Sequence, residues 1–155
     1  LSSLLMMLEA AERERDDARA DLEAARQRLD AAQRQSQSLH DWRRDYQSKW
    51  QSQFRQAGGV EIMRCYQDFM QRLGAAVQDQ DVKVDQARVQ QERSQAALLE
   101  RERKVAAISQ LMERRQTEWQ RQQDRQEQKA TDELAARLHR TSTWSGDASG
   151  PQTVS

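Results

Sequence analysis

The sequence is short of everything that interrupts a helix or closes a globule. Its 155 residues hold one proline (Pro151), five glycines and one cysteine, Cys65. Without proline before position 151, nothing removes a backbone donor or kinks a helix. A single cysteine excludes an intramolecular disulfide and fits a reducing compartment. Aromatics make up 5% of the chain, which argues against an ordinary three-dimensional core. No apolar run approaches the roughly 18 residues of a membrane span, so direct membrane insertion is not expected. The apolar opening Leu4-Leu5-Met6-Met7-Leu8 lacks a basic leader and is not read as a signal peptide. Neither charge sign is in excess: 25 basic residues face 25 acidic ones. Residues 1–57 alone carry ten of each, interleaved. That pattern describes solvated helix faces with i,i+4 pairs. It lacks the basic stripe that nucleic-acid binding needs.

Catalytic signatures are missing too. His40 and His139 lie far apart, and neither has a neighbour at metal-ligand spacing. There is no glycine-rich phosphate loop and no nucleophile motif. The many carboxylates have no cleft in which to be desolvated. Cys65 reads as a passive small residue. The expectation is a protein that is not an enzyme and binds no cofactor or metal.

What is present is charge, glutamine and alanine, the alphabet of long helices. The only tandem glycine, Gly58-Gly59, stands between two long stretches with no proline and almost no glycine. Two such helices joined over residues 57–60 fold back on each other. The expected fold is all-α: a long antiparallel two-helix coiled coil, with the second helix overhanging. Helix 1 is expected over about 3–56 and helix 2 over about 61–139. Residues 1–140 form the hairpin domain and 141–155 a disordered tail. Trp144 in that tail is incidental on this reading.

The apolar spacing of helix 1 is a heptad: Leu4, Leu8, Ala11, Ala18, Leu22, Ala25, Leu29, Ala32, Leu39, Tyr46 and Trp50, with Arg15, Ser36 and Arg43 in the gaps. That period specifies a left-handed supercoil. Alanine recurs every seven residues at 11, 18, 25 and 32. It serves either close helix packing or only helix propensity. Helix 2 continues the seam through Ile62, Tyr66, Phe69, Leu73 and Ala76. It resumes at Val84, Ala87, Leu98, Val105, Ile108 and Met112. The slip around Gln80 reads as a four-residue stutter. With the turn centred on 58–59, antiparallel partners have residue numbers adding to about 117. Leu4 then meets Met112, Leu8 meets Ile108, Leu29 meets Ala87, and Trp50 meets Tyr66.

Helix 1 runs out near residue 3, so helix 2 lacks a partner beyond about residue 114. Residues 114–139 would project for roughly 40 Å at 1.5 Å per residue. A lone helix is marginal in water, so it frays or is held by another protein.

Three stretches carry a resemblance. Tyr66-Gln67-Asp68-Phe69-Met70-Gln71-Arg72-Leu73 resembles a motif at the start of the second helix of the flagellar export protein FliJ family. Leu39-His40-Asp41-Trp42-Arg43-Arg44-Asp45-Tyr46 is similar to the aromatic end of that family's first helix. Gln128-Lys129-Ala130-Thr131-Asp132-Glu133-Leu134-Ala135-Ala136-Arg137 resembles its closing segment. The resemblance spans about residues 4–140.

It implies a stalk-like, cytoplasmic component of the flagellar type III export apparatus, peripherally associated with the membrane-bound machinery. FliJ-like proteins insert into the export ATPase hexamer, touch the large export gate membrane protein, and escort export chaperones. The gate-contacting surface carries over onto Gln35, Leu39, Trp42, Tyr46, Phe69, Leu73 and Ala76. Tyr46, Phe69 and Leu73 also lie on the seam, where packing alone would explain them. Gln80 stands where some members have histidine. The ATPase-ring contact is expected on the overhang, at Trp119, Gln122, Arg125, Gln126, Lys129, Leu134 and Arg137. Two alternatives stay open: the equivalent stalk of a virulence type III secretion system, and a purely structural coiled-coil spacer.

Overall fold

The computed structural model describes residues 2–54 and 59–147. Helix α1 spans Ser2–Lys49 and passes into a π-helical turn, Trp50–Phe54. Helix α2 spans Val60–Asp147. The two helices pack as the expected all-α hairpin, with no strand among the described residues. No helix among those residues is long and apolar enough to cross a membrane.

Half of the expected turn, residues 57–58, lies outside the described residues. Gly59 is described. It does not use the positive φ that glycine allows, and a Cβ there would meet open space. Its carbonyl accepts a hydrogen bond from the Met63 amide at 3.3 Å, so it works as the entry residue of α2.

Two compact units make up the chain, residues 2–106 and residues from Ala107 onward. In the first, α1 buries Leu4, Ala11, Ala18, Leu22 and Ala25. Leu8, Arg15, Leu29, Ala32, Ser36, Leu39 and Arg43 are half-buried on the same line. Every step is three or four residues, as the heptad requires. Burial of Ala11, Ala18 and Ala25 assigns the alanine ladder to packing. A methyl group at each of these layers lets the opposing helix come close.

Register follows from the cross-helix pairs. Lys104 Nζ lies 3.2 Å from Glu14 Oε2, and Arg19 Nη2 lies 3.9 Å from Glu102 Oε1. The Ser36 hydroxyl reaches Asp81 at 2.7 Å, and Trp50 stacks on Tyr66. The residue numbers of these pairs add to 116–121, around the expected 117. The surface ion pairs set register but add little stability, since exposed pairs are worth about 0–1 kcal/mol.

On α2 the seam runs differently from the sequence expectation. The stutter is absent. Tyr66, Met70, Leu73, Val77, Gln80, Val84, Ala87, Gln91, Ser94, Leu98 and Val105 face inward. Each successive step is three or four residues apart from the final one, which is seven. Val77, not Ala76, takes the layer after Leu73, and Ala76 is exposed. Met70 replaces Phe69 on the line. Ile62 is also exposed. Gln80 keeps the heptad continuous because its buried amide has a partner. Its Nε2 donates to the Ala32 carbonyl at 3.1 Å. A satisfied polar group can occupy a seam layer, whereas an unsatisfied one would cost about 1–3 kcal/mol.

The second unit is helical from Ala107 to Asp147. Between Glu113 and Thr143 every side chain except Gln123 is exposed. The helix passes the expected end at 139, so residues 141–147 are helical rather than tail. Thr141 Oγ1 donates to the Arg137 carbonyl, and Thr143 Oγ1 to the His139 carbonyl. These back-bonds satisfy the hydroxyls inside the helix. Residues 148–155 of the expected tail lie outside the described residues.

Candidate functional site

The aromatic end of the hairpin is where side chains gather without being covered. On α1, Trp42 and Tyr46 are four residues apart, so they share one face. Trp42 is 62% exposed. Tyr46 meets Phe69 of α2, with ring centroids 4.4 Å apart and planes inclined by 33°. Trp50, in the π-helical turn, stacks on Tyr66 at 4.2 Å and 11°. The two aromatic pairs bridge the helices close to the turn. Offset or tilted pairs of this kind contribute about 0.5–1.5 kcal/mol each beyond area burial.

Beside them lies an open apolar cleft of about 330 Å³, lined by Tyr46, Trp50, Ile62, Cys65, Tyr66 and Phe69. Cys65 is a free, exposed thiol at its edge. Sequence periodicity missed Ile62 and Cys65 as surface residues. It placed Ile62 in the seam and gave Cys65 no role.

Two to three turns further from the loop sits a polar node. Asp81 Oδ1 accepts from the Ser36 hydroxyl at 2.7 Å and lies 3.3 Å from His40 Nε2. Arg43 Nη2 lies 3.3 Å from His40 Nδ1. Guanidinium only donates, so Nδ1 accepts and Nε2 carries the proton given to Asp81. The Ser36 hydrogen bond is the main cause that holds the Asp81 carboxyl below its ordinary value. Desolvation opposes it, and His40 and Arg43 assist. Serine, histidine and aspartate therefore meet, but not as a catalytic triad. Both partners bond the same carboxylate oxygen, and no base faces the serine oxygen. The node is an interhelical clamp. Register arithmetic would have found it, since 40 and 81 add to within about one helical turn of 117.

Of the residues transferred from the gate-contacting surface, Gln35, Trp42, Tyr46, Phe69 and Ala76 are exposed and Leu39 is half-buried. Leu73 is buried in the seam. Tyr46 and Phe69 touch, joining the α1 row Gln35–Leu39–Trp42–Tyr46 to the α2 row. In the second unit, Trp119, Gln122, Arg125, Gln126, Lys129, Leu134 and Arg137 are all exposed. Trp119, Gln122, Gln126 and Lys129 follow at three- and four-residue steps, which puts them on one side of the helix. Among the described residues no cluster of histidine, cysteine and carboxylates is arranged to hold a metal ion.

No curated protein and no solved structure matches the chain. A family model does: that of the flagellar FliJ protein, over residues 1–143. It covers both helices, the aromatic end and the exposed stretch of α2, and the chain belongs to the flagellar FliJ family.

Proposed function

We propose that the protein is a non-enzymatic, stalk-like component of the flagellar type III export apparatus, working in the cytoplasm at the membrane-bound machinery. Family membership supports a part in flagellar export. The finer reading assigns two protein-binding surfaces and an escort role toward export chaperones.

The observation that carries it is the aromatic end of the hairpin. A tryptophan more than half exposed, beside touching rings from both helices, is the composition of a binding hot spot. On this reading the large export gate protein contacts Gln35, Leu39, Trp42, Tyr46, Phe69 and Ala76. Leu73 supports them from within the seam. The export ATPase hexamer takes the exposed helix of the second unit, through Trp119, Gln122, Arg125, Gln126, Lys129, Leu134 and Arg137. Long polar side chains suit many weak contacts with a pore wall.

Trp42→Ala tests the first surface. Truncating a hot-spot aromatic costs about 2 kcal/mol of binding or more. The variant is expected to keep its helical circular dichroism and to bind the purified gate domain at least tenfold more weakly. Wild-type affinity in the variant would remove Trp42, and with it this assignment.

A further inference from the structure

In a two-helix coiled coil the face opposite the seam is the most solvated and is ordinarily polar. On α2 it is not. Ala75, Val82, Val89 and Ala96 recur at seven-residue steps along that outer face. All four are exposed, Val82 by 50% and Val89 by 45%. They extend over about 32 Å of helix at 1.5 Å per residue. A seven-residue repeat keeps the stripe in line with the supercoil, so a further helix can follow it. A shallow groove runs along Val82 and Val89, walled by Asp85, Gln86, Gln90 and Arg93.

The charges beside the stripe say what fits. One flank reads Arg72, Asp79, Gln86, Arg93, Glu100 at seven-residue steps. Among the described residues, none of its four charged side chains makes a hydrogen bond or ion pair. That order is self-complementary when reversed. Turned end to end about Gln86, Arg72 meets Glu100, Asp79 meets Arg93, and Gln86 meets itself. In antiparallel helix pairs, like flanks face each other. The stripe reverses onto itself as well: Val82 opposes Val89, and Ala75 opposes Ala96. The other flank offers one unfavourable meeting, Asp85 with its own copy. Arg88 of the same helix, 4.0 Å from Asp85, offsets that charge. A parallel pairing would set Arg72, Asp79 and Glu100 against Gln71, Gln78 and Leu99, leaving three of the four charges unmatched.

We propose that the outer face of α2 between Arg72 and Glu100 docks a second copy of this chain, antiparallel, about a two-fold axis passing between Asp85 and Gln86. The contact is isologous. Two alanines among four stripe residues keep it small, so the dimer is weak and forms only at high concentration. Every residue involved faces away from α1, so hairpin and dimer coexist.

Sedimentation of the full chain over a concentration series up to several hundred micromolar tests this. A reversible monomer–dimer equilibrium is expected, with a dissociation constant on the order of 100 µM, as suits an interface at the small end of the range. Val82→Asp with Val89→Asp should weaken it at least tenfold without loss of helicity. Arg93→Glu alone should weaken it by setting a second carboxylate against Asp79. Adding Asp79→Arg to Arg93→Glu should restore it, because the swapped pair again attracts. A chain that stays monomeric throughout the series overturns the proposal. So does a dimer indifferent to the valine substitutions, or one weakened by Arg93→Glu that the second change fails to rescue.

Discussion

Gln80 shows what a single side chain does to a periodic reading. Treated as a polar interruption, it forces a stutter between Ala76 and Val84. With its amide bonded to the Ala32 carbonyl, it is an ordinary layer of the heptad and Val77 falls into line. The letter Gln does not disclose whether a carbonyl lies opposite, so this part of the seam was not legible. Gln80→Ala removes the hydrogen bond and leaves unfilled volume. It should destabilise the hairpin by about 1–3 kcal/mol, read from urea or thermal unfolding. Gln80→Leu, which refills the layer, should recover much of that loss. Asp81 gives the residue scale a pH dependence. Its folded carboxyl titrates below the unfolded value, chiefly through the Ser36 hydroxyl. Its stabilising contribution is therefore present above the unfolded value and is lost as pH falls through the folded one. Unfolding midpoints should drop in the acid range, below about pH 4. Asp81→Asn should show a shallower acid drop than wild type, and an unchanged acid limb would show that Asp81 does not carry it.

The elements differ in how far their sequence declares them. The seam of α1 is legible because Ala11, Ala18 and Ala25 recur at seven residues and Leu4 and Leu22 fall on the same line. Burial confirms each of those positions. The ends are less legible. The α-helical part of α1 stops at Lys49, where a π-helical turn begins. It carries Trp50 onto Tyr66, a contact that depends on the ring across the seam rather than on local propensity. The late end of α2 escaped notice because threonine and serine after 140 look like linker. The hydroxyls of Thr141 and Thr143 instead bond back to carbonyls of the preceding turn. Packing of α1 gives the sharpest test at this scale. Leu22 is 4% exposed in the middle of the alanine ladder. Leu22→Asp places a carboxylate in an apolar layer of the seam, and should cost several kcal/mol. Loss of cooperative unfolding by circular dichroism is the expected result. A variant melting within a few degrees of wild type would mean that the ladder is not what holds the hairpin together.

At the scale of the whole molecule, the chain divides into residues 2–106 and residues from Ala107 onward, and from Glu113 the second unit presents its side chains to solvent. The first unit contains the alanine ladder, the polar node and both aromatic pairs. From Glu113 to Thr143 the second buries none of its side chains and leaves only Gln123 half-covered. Intrinsic propensity and i,i+4 bonds support such a helix only marginally. Gln120 to Asp124 and Gln128 to Asp132 are two of these bonds, each worth a few tenths of a kcal/mol. A long helix kept exposed at that small margin is best explained by a partner that covers it, which on the proposed reading is the export ATPase ring. Ending the chain after Arg115 separates the two roles. The shortened protein should retain the unfolding midpoint of the full chain, because the packed unit is intact. It should also bind the gate domain through Trp42 as before. It should fail to promote ring assembly or to stimulate ATP hydrolysis. Full stimulation by the shortened chain would place the ring contact before residue 116. A collapse of its unfolding midpoint would instead show that residues beyond 115 belong to the packed body.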